Sequence, residues 1–301
     1  MDRLRPAAGT LPRSATVGRA AEALATLGLL LNAAVWGLSF VLIRDALRGT
    51  SVAAFLTARF AIATAVLGAP LLLRGGRRAA ARAAPAGLRA GLALAAGYLL
   101  QTVGLTLISA ARAGFITGLS VVFVPPLARL LRGQLLRPRQ IAALLPATLG
   151  LALIAGDAAH ATALNAGDLL VLGCAVAFAL QIALLAPRQG ALPESAGPLA
   201  LAFWQTAAVA LAGALALPAG GARLTARGAA AAAFLGLAGT AGALWVQTTA
   251  QRHVSAARVA FLYTAEPLFA ALFAVTLGGE ALGGATLAGG ALIVLGMLLG
   301  L

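Results

Sequence analysis

Lysine is absent from this chain, and all 22 permanently cationic side chains are arginine. Acids are scarce as well, with four aspartates (Asp2, Asp45, Asp157, Asp168) and four glutamates (Glu22, Glu194, Glu266, Glu280) beside two histidines, His160 and His253. These residues form no HExxH motif, no Asp-rich cluster and no Ser–His pair on one predictable face, so the usual metal and triad hydrolases lack their parts. A single cysteine, Cys174, excludes an intrachain disulfide framework and a cysteine metal site. No Walker A sequence is present, which excludes direct drive by ATP. No cofactor and no metal are expected.

What the chain has in abundance is apolar surface. It is 61% hydrophobic and 10% charged, with a mean hydropathy of +0.97. A soluble domain is about half apolar and about a quarter charged, so this is an integral membrane protein in contact with the lipid bilayer. The net charge of +14 invites a nucleic-acid reading, but the arginines fill short gaps between apolar runs and no aromatic–basic motif accompanies them. No nucleic acid partner is expected.

About ten apolar runs have the ~20 residues that a helix needs to cross ~30 Å of hydrocarbon. They fall near 23–43, 52–73, 86–108, 113–131, 139–156, 167–186, 198–218, 228–250, 256–277 and 283–301. The gaps after the third and eighth are short enough to require helical hairpins. Residues 1–22 carry Arg3, Arg5, Arg13 and Arg19 without an apolar core, and read as a polar cytoplasmic tail in place of a signal peptide. The connections after the second and fourth runs carry Arg74, Arg77, Arg78 and Arg82, then Arg129, Arg132, Arg137 and Arg139. The opposite side carries Arg44, Arg48, Arg112, Arg223 and Arg227. This asymmetry puts both termini in the cytoplasm.

The chain also repeats itself. Displaced by 146 residues without a gap, Gln101-Thr102 falls on Gln247-Thr248 and Ser109-Ala110-Ala111-Arg112 on Ser255-Ala256-Ala257-Arg258; Phe115 falls on Phe261 and Gly150 on Gly296. The expected fold is therefore all-α, ten transmembrane helices in two five-helix repeats, 23–156 and 167–301. Five is odd, so homologous halves must lie inverted relative to each other. That is a common construction of secondary transporters, with the solute held near the midplane.

Several stretches resemble the EamA-type proteins of the drug/metabolite transporter superfamily. They are Trp36-Gly37-Leu38-Ser39-Phe40 in the first span, Ala58-Arg59-Phe60 in the second, Ala113 through Pro125 in the fourth, and Glu266-Pro267-Leu268-Phe269 with Gly279-Glu280 in and after the ninth. The resemblance implies a ten-helix inverted-repeat transporter of the bacterial inner membrane, often exporting amino acids or other small metabolites, with its cavity lined by spans one to four and six to nine. Two positions depart from the family pattern. Gln134 stands where the first half would match Glu280, and Phe178 where the sixth span often has tryptophan.

Polar groups inside spans must face protein or water. Trp36, Ser39, Arg59, Tyr98, Gln101, Thr117, Gln181, Trp245, Gln247, Tyr263 and Glu266 are accordingly the candidate cavity residues. Arg59 has two readings, a structural lock onto neighbouring carbonyls or an anion-facing cavity charge. Glu266, directly before the helix-disrupting Pro267, is either a hydrogen-bond partner at the helix break or a group for proton or ion coupling. Ser109 and Ser255 read as N-caps, with Arg112 and Arg258 pointing to the interface. The leading function is export of a small polar or amphipathic metabolite by alternating access. The alternative is a membrane-embedded enzyme acting on a lipid or small amphiphile. Oligomeric state is open.

Overall fold

The structure, a computed structural model, describes residues 13–73, 75–158, 165–186, 197–277 and 284–300. The tail through Pro12, together with Arg74, His160, Arg188, Glu194 and Glu280, lies outside the described residues. Every regular element among them is helical, as lipid demands when no water is available to backbone groups. The first half comprises α1 (Arg13–Ala46), α2 (Val52–Leu73), α3 (Arg77–Gly104), α4 (Ala110–Gly118), α5 (Ser120–Arg132) and α6 (Pro138–Ala158). The second comprises α7 (Ala166–Leu185), α8 (Pro198–Gly220), α9 (Ala226–Gly236), α10 (Ala243–Ala250), α11 (Ala256–Tyr263), α12 (Ala265–Thr276) and α13 (Gly284–Gly300). A π-helical turn, Leu237–Gly242, joins α9 to α10.

Among the described residues, eight spans are long and apolar enough to cross a membrane, counting α4–α5, α9–α10 and α11–α12 each as one. The protein is a multi-pass membrane protein. At the fifth and tenth expected spans stand α6 and α13, which pack on each other. Residues 13–22, expected to be a polar tail, continue α1 ahead of the apolar run, where their alanines and arginines are good helix formers.

Two spans are broken at matching places. The fourth breaks at Leu119, whose N–H reaches the carbonyl of Ile116 at 3.1 Å; the ninth breaks at Thr264, whose N–H reaches that of Phe261 at 3.2 Å. Pro267 has no N–H to give the carbonyl of Tyr263 one turn earlier, so the ladder tightens there. The hairpins before them close through Ile108 N–H to the Gly104 carbonyl and Val254 N–H to that of Ala250, both at 3.0 Å. Ser109 and Ser255 cap the following helices by accepting from the N–H of Arg112 and Arg258, at 3.2 and 3.3 Å.

Packing follows an exchange pattern between the halves. The α2 helix lies on α8 and α6 on α13, and contacts of α3 with α7 are matched by those of α1 with the α9–α10 span. Likewise α5 lies on α7 while α1 lies on α12. The approach of α1 to α12 depends on Gly37, where a Cβ would stand 2.6 Å from Phe269 Cβ and 2.7 Å from the Ala270 backbone nitrogen. Backbone cannot step aside cheaply. Gly37→Val is expected to destabilise the fold by about 1–3 kcal/mol, the range for overpacking. An unchanged unfolding temperature in detergent would show that the two helices can separate freely.

Candidate functional site

Four pairs of positions related by the 146-residue offset converge on one cavity. Trp36 and Ile182, Gln101 and Gln247, Thr117 and Tyr263, and Ser120 and Glu266 all line it. Ser39 of α1, Leu94 and Tyr98 of α3, and Phe178 and Gln181 of α7 complete the wall. Ser120 stands one residue after the break at Leu119 and Glu266 two residues after that at Thr264, both on the cavity wall. The space measures about 40 Å³, room for roughly two or three water molecules.

Aromatic rings form two pairs around it. Trp36 and Tyr263 have centroids 4.9 Å apart, and Tyr98 and Phe178 have theirs 5.1 Å apart. One wall is a glutamine relay. Gln251 Nε2 donates to the Ile182 carbonyl, Gln247 Nε2 donates to Gln251 Oε1 and Gln181 Oε1, and Gln181 Nε2 donates to Gln205 Oε1 at 2.7 Å. Gln205 Nε2 closes the chain on the Leu201 carbonyl. On the other side Gln101 Nε2 donates to Thr117 Oγ1 at 3.3 Å. Glu266 is the one ionisable carboxyl in the wall, and its carboxylate has no hydrogen bond or ion pair among the described residues. The buried Tyr263 hydroxyl also makes no well-formed hydrogen bond there.

Two sequence candidates stand elsewhere. Trp245 is 51% exposed on the outside of the bundle and does not line the cavity. Helical periodicity could not fix its facing because the π turn just before it shifts the register by one residue. Arg59 is 1% exposed but turned from the cavity. Its Nε donates to Thr240 Oγ1 at 2.8 Å and its Nη2 to the Gly239 carbonyl at 3.3 Å. The guanidinium lies over Tyr98, 4.9 Å from the ring centroid, and 5.5 Å from that of Phe60. A π turn leaves carbonyls without their regular partners. Here Gly239 O also accepts from Trp36 Nε1 at 2.8 Å, and Ala243 O from Asn32 Nδ2 at 2.8 Å. Arg59 therefore locks α2 to the π turn.

Sequence reasoning missed the contacts at the two ends of the bundle. Arg112 does not reach for the interface. Its Nε and Nη2 grip the two oxygens of Asp168 at 2.6 and 2.8 Å, with side chains 11% and 2% exposed. Asp168 is held in turn by the capping box of α7, accepting from the Asn165 N–H at 2.8 Å. The repeat mates of these residues are Arg258 and Glu22, and they also meet. Their contact is single and looser, Arg258 Nη1 to Glu22 Oε2 at 3.3 Å, with side chains 30% and 51% exposed. Arg258 Nε, equivalent to the Arg112 nitrogen that makes the shortest bond, is buried without a partner. The looser pair lines a 490 Å³ space with Gln134, Arg137 and His253. The signal was available: the 146-residue offset that aligns the arginines also carries Glu22 onto Asp168.

Comparison with known proteins accounts for both halves. The model of the EamA-like transporter family matches residues 23–156 and again 165–301. An uncharacterized transporter of Archaeoglobus fulgidus is 34% identical over 185 residues, 62% of this chain and 55% of its own. The chain thus spans about half the length of that relative. A solved crystal structure, 22% identical, covers 94% of this chain and 97% of its own with a TM-score of 0.73, a likeness of fold. Matched twice over nearly its whole length, the chain belongs to the EamA-like transporter family.

Proposed function

We propose that the protein is a secondary transporter whose two inverted five-helix halves alternate access to the central cavity, moving a small polar or amphipathic metabolite out of a bacterial cell. The observation that carries this reading is that residues related by the repeat meet three times along the molecule. They share the cavity at the middle, make a tight ion pair at one end, and make a loose one at the other. Inversion of the halves is supported by the ends at which matching elements start. The first half begins at the end where Glu22 meets Arg258 and Gln140 Nε2 reaches the Gly300 carbonyl. The second begins at the other, where Asp168 meets Arg112. The arginine asymmetry supports a cytoplasmic placement of the first of these ends.

An alternating device needs its two ends to differ in any one state, and equivalent pairs that are gripped by two short bonds at one end and held by one longer bond at the other provide such a difference. The arrangement resembles a closed outer end and a loosened inner end. Glu22→Gln is accordingly expected to change stability by less than about 1 kcal/mol, because the pair it removes is exposed. A larger loss, measured by unfolding in detergent, would mean the inner pair is already tight. Transport itself is tested by loading proteoliposomes with a mixture of amines, amino acids and nucleosides and following efflux by mass spectrometry. Efflux no faster than from empty liposomes overturns the reading. Cysteines placed near residues 20 and 300 should react from the same side of the membrane, and labelling from opposite sides would refute inversion. The family assignment weighs against the embedded-enzyme alternative, which predicts product formation by purified protein without any vesicle.

A further inference from the structure

We infer that the cavity selects solutes carrying a protonated amine, with Glu266 as the counter-ion and Trp36, Tyr98 and Tyr263 as the rings against which the cation rests. This rests on the transport reading for the identity of the cavity as the solute site. Three observations support it.

First, the charge on the wall has one sign. Glu266 is an acid without a partner among the described residues, and no arginine or histidine lines the cavity. Arg59, the nearest cation in sequence pattern, stands behind Tyr98 with its Nε and Nη2 bound to Thr240 and Gly239; its Nη1 has no hydrogen-bond partner among the described residues, but the side chain does not line the cavity. A solute carboxylate would enter beside Glu266 with no guanidinium facing it. A carboxylate held in a low-dielectric site without a counter-charge is costly, and a ligand cation removes that cost.

Second, the neighbouring surfaces suit a cation. Trp36, Tyr98 and Tyr263 line the same cavity, and the negative face of a ring attracts an ammonium group within about 6 Å. Tyr263 brings a buried hydroxyl that lies by Asn32 and makes no well-formed hydrogen bond among the described residues, an oxygen that can accept from an ammonium N–H. The space of about 40 Å³ suits an ammonium head, while the remainder of the solute requires the halves to part.

Third, the carboxylate breaks the internal symmetry. Its mate across the repeat is Ser120 and that of Tyr263 is Thr117, all four on the same wall. At these mated positions the first half is neutral, and the second half adds the acid and a phenol. Two copies of one polar frame have become one site with a charged side.

The test uses three molecules of one shape: phenethylamine, 2-phenylethanol and 3-phenylpropionate, with phenylalanine as the zwitterion. Binding is read by calorimetry on purified full-length protein in detergent. Phenethylamine is expected to bind at least tenfold more tightly than the alcohol and than phenylalanine, and phenylpropionate to bind most weakly. Glu266→Gln should weaken phenethylamine at least tenfold and leave the alcohol unchanged, whereas Glu266→Asp should retain part of the preference. Monodispersity and unfolding temperature report whether each variant is folded, and if the Gln variant is not, the ligand series on the wild type decides alone. Equal or tighter binding of phenylpropionate, undiminished binding of phenethylamine by the folded Gln variant, or no binding of any amine overturns the inference. Amine binding without flux of any solute in proteoliposomes would instead sink the transport reading and leave the site standing.

Discussion

Asp168→Asn is expected to lower stability by about 3–5 kcal/mol, the cost of leaving one member of a buried ion pair unmatched. Arg112 is gripped by two short bonds to a carboxylate that is 2% exposed. The asparagine can still accept one of them, but the guanidinium charge is left without its counterpart. The comparison that isolates the pair is the double variant Arg112→Leu with Asp168→Leu, which removes both charges and should recover much of the loss. In proteoliposomes the double variant should also open the outer end more readily, seen as faster labelling of a cysteine placed at Ser120. If the single variant unfolds within about 0.5 kcal/mol of the wild type, the pair is a surface contact and not a latch.

Arg59→Lys should cost about 2 kcal/mol, although it keeps the charge. An ammonium is a point donor on a flexible stem and cannot reproduce the planar fork. The arginine uses that fork to reach Thr240 Oγ1 and the Gly239 carbonyl while its flat face lies over Tyr98. One charge-assisted hydrogen bond is worth about 1.5–3 kcal/mol, and the substitution loses at least one. Unfolding in detergent measures it. An equally stable lysine variant would show that the π turn holds without the fork.

Local spacing made much of the fold legible. Ser109 and Ser255 announce helix starts because an N-cap is decided within four residues, and Pro267 announces the break at Thr264 because a missing N–H acts one turn away. The duplication announces that Gln101 and Gln247 share an environment, and both do line the cavity. What stayed hidden depends on pairing between distant helices. Asp168 looked like one acid among eight until α4 and α7 brought it to Arg112. The facing of Trp245 required the register after the π turn, for which the glycines at 236, 239 and 242 were the sole hint. Arg59 left both of its readings open because a sequence records a charge without recording what it faces.

The Gly239 carbonyl has a mechanical consequence. It is bound at once by an indole from α1 and a guanidinium from α2, so a point halfway along the eighth span is pinned to two helices of the opposite half. Bodies fastened at mid-height can tilt but cannot slide. The fulcrum of any swing between them then sits beside the ring of Tyr98, so a small change in cavity width becomes a large excursion at the distant rims.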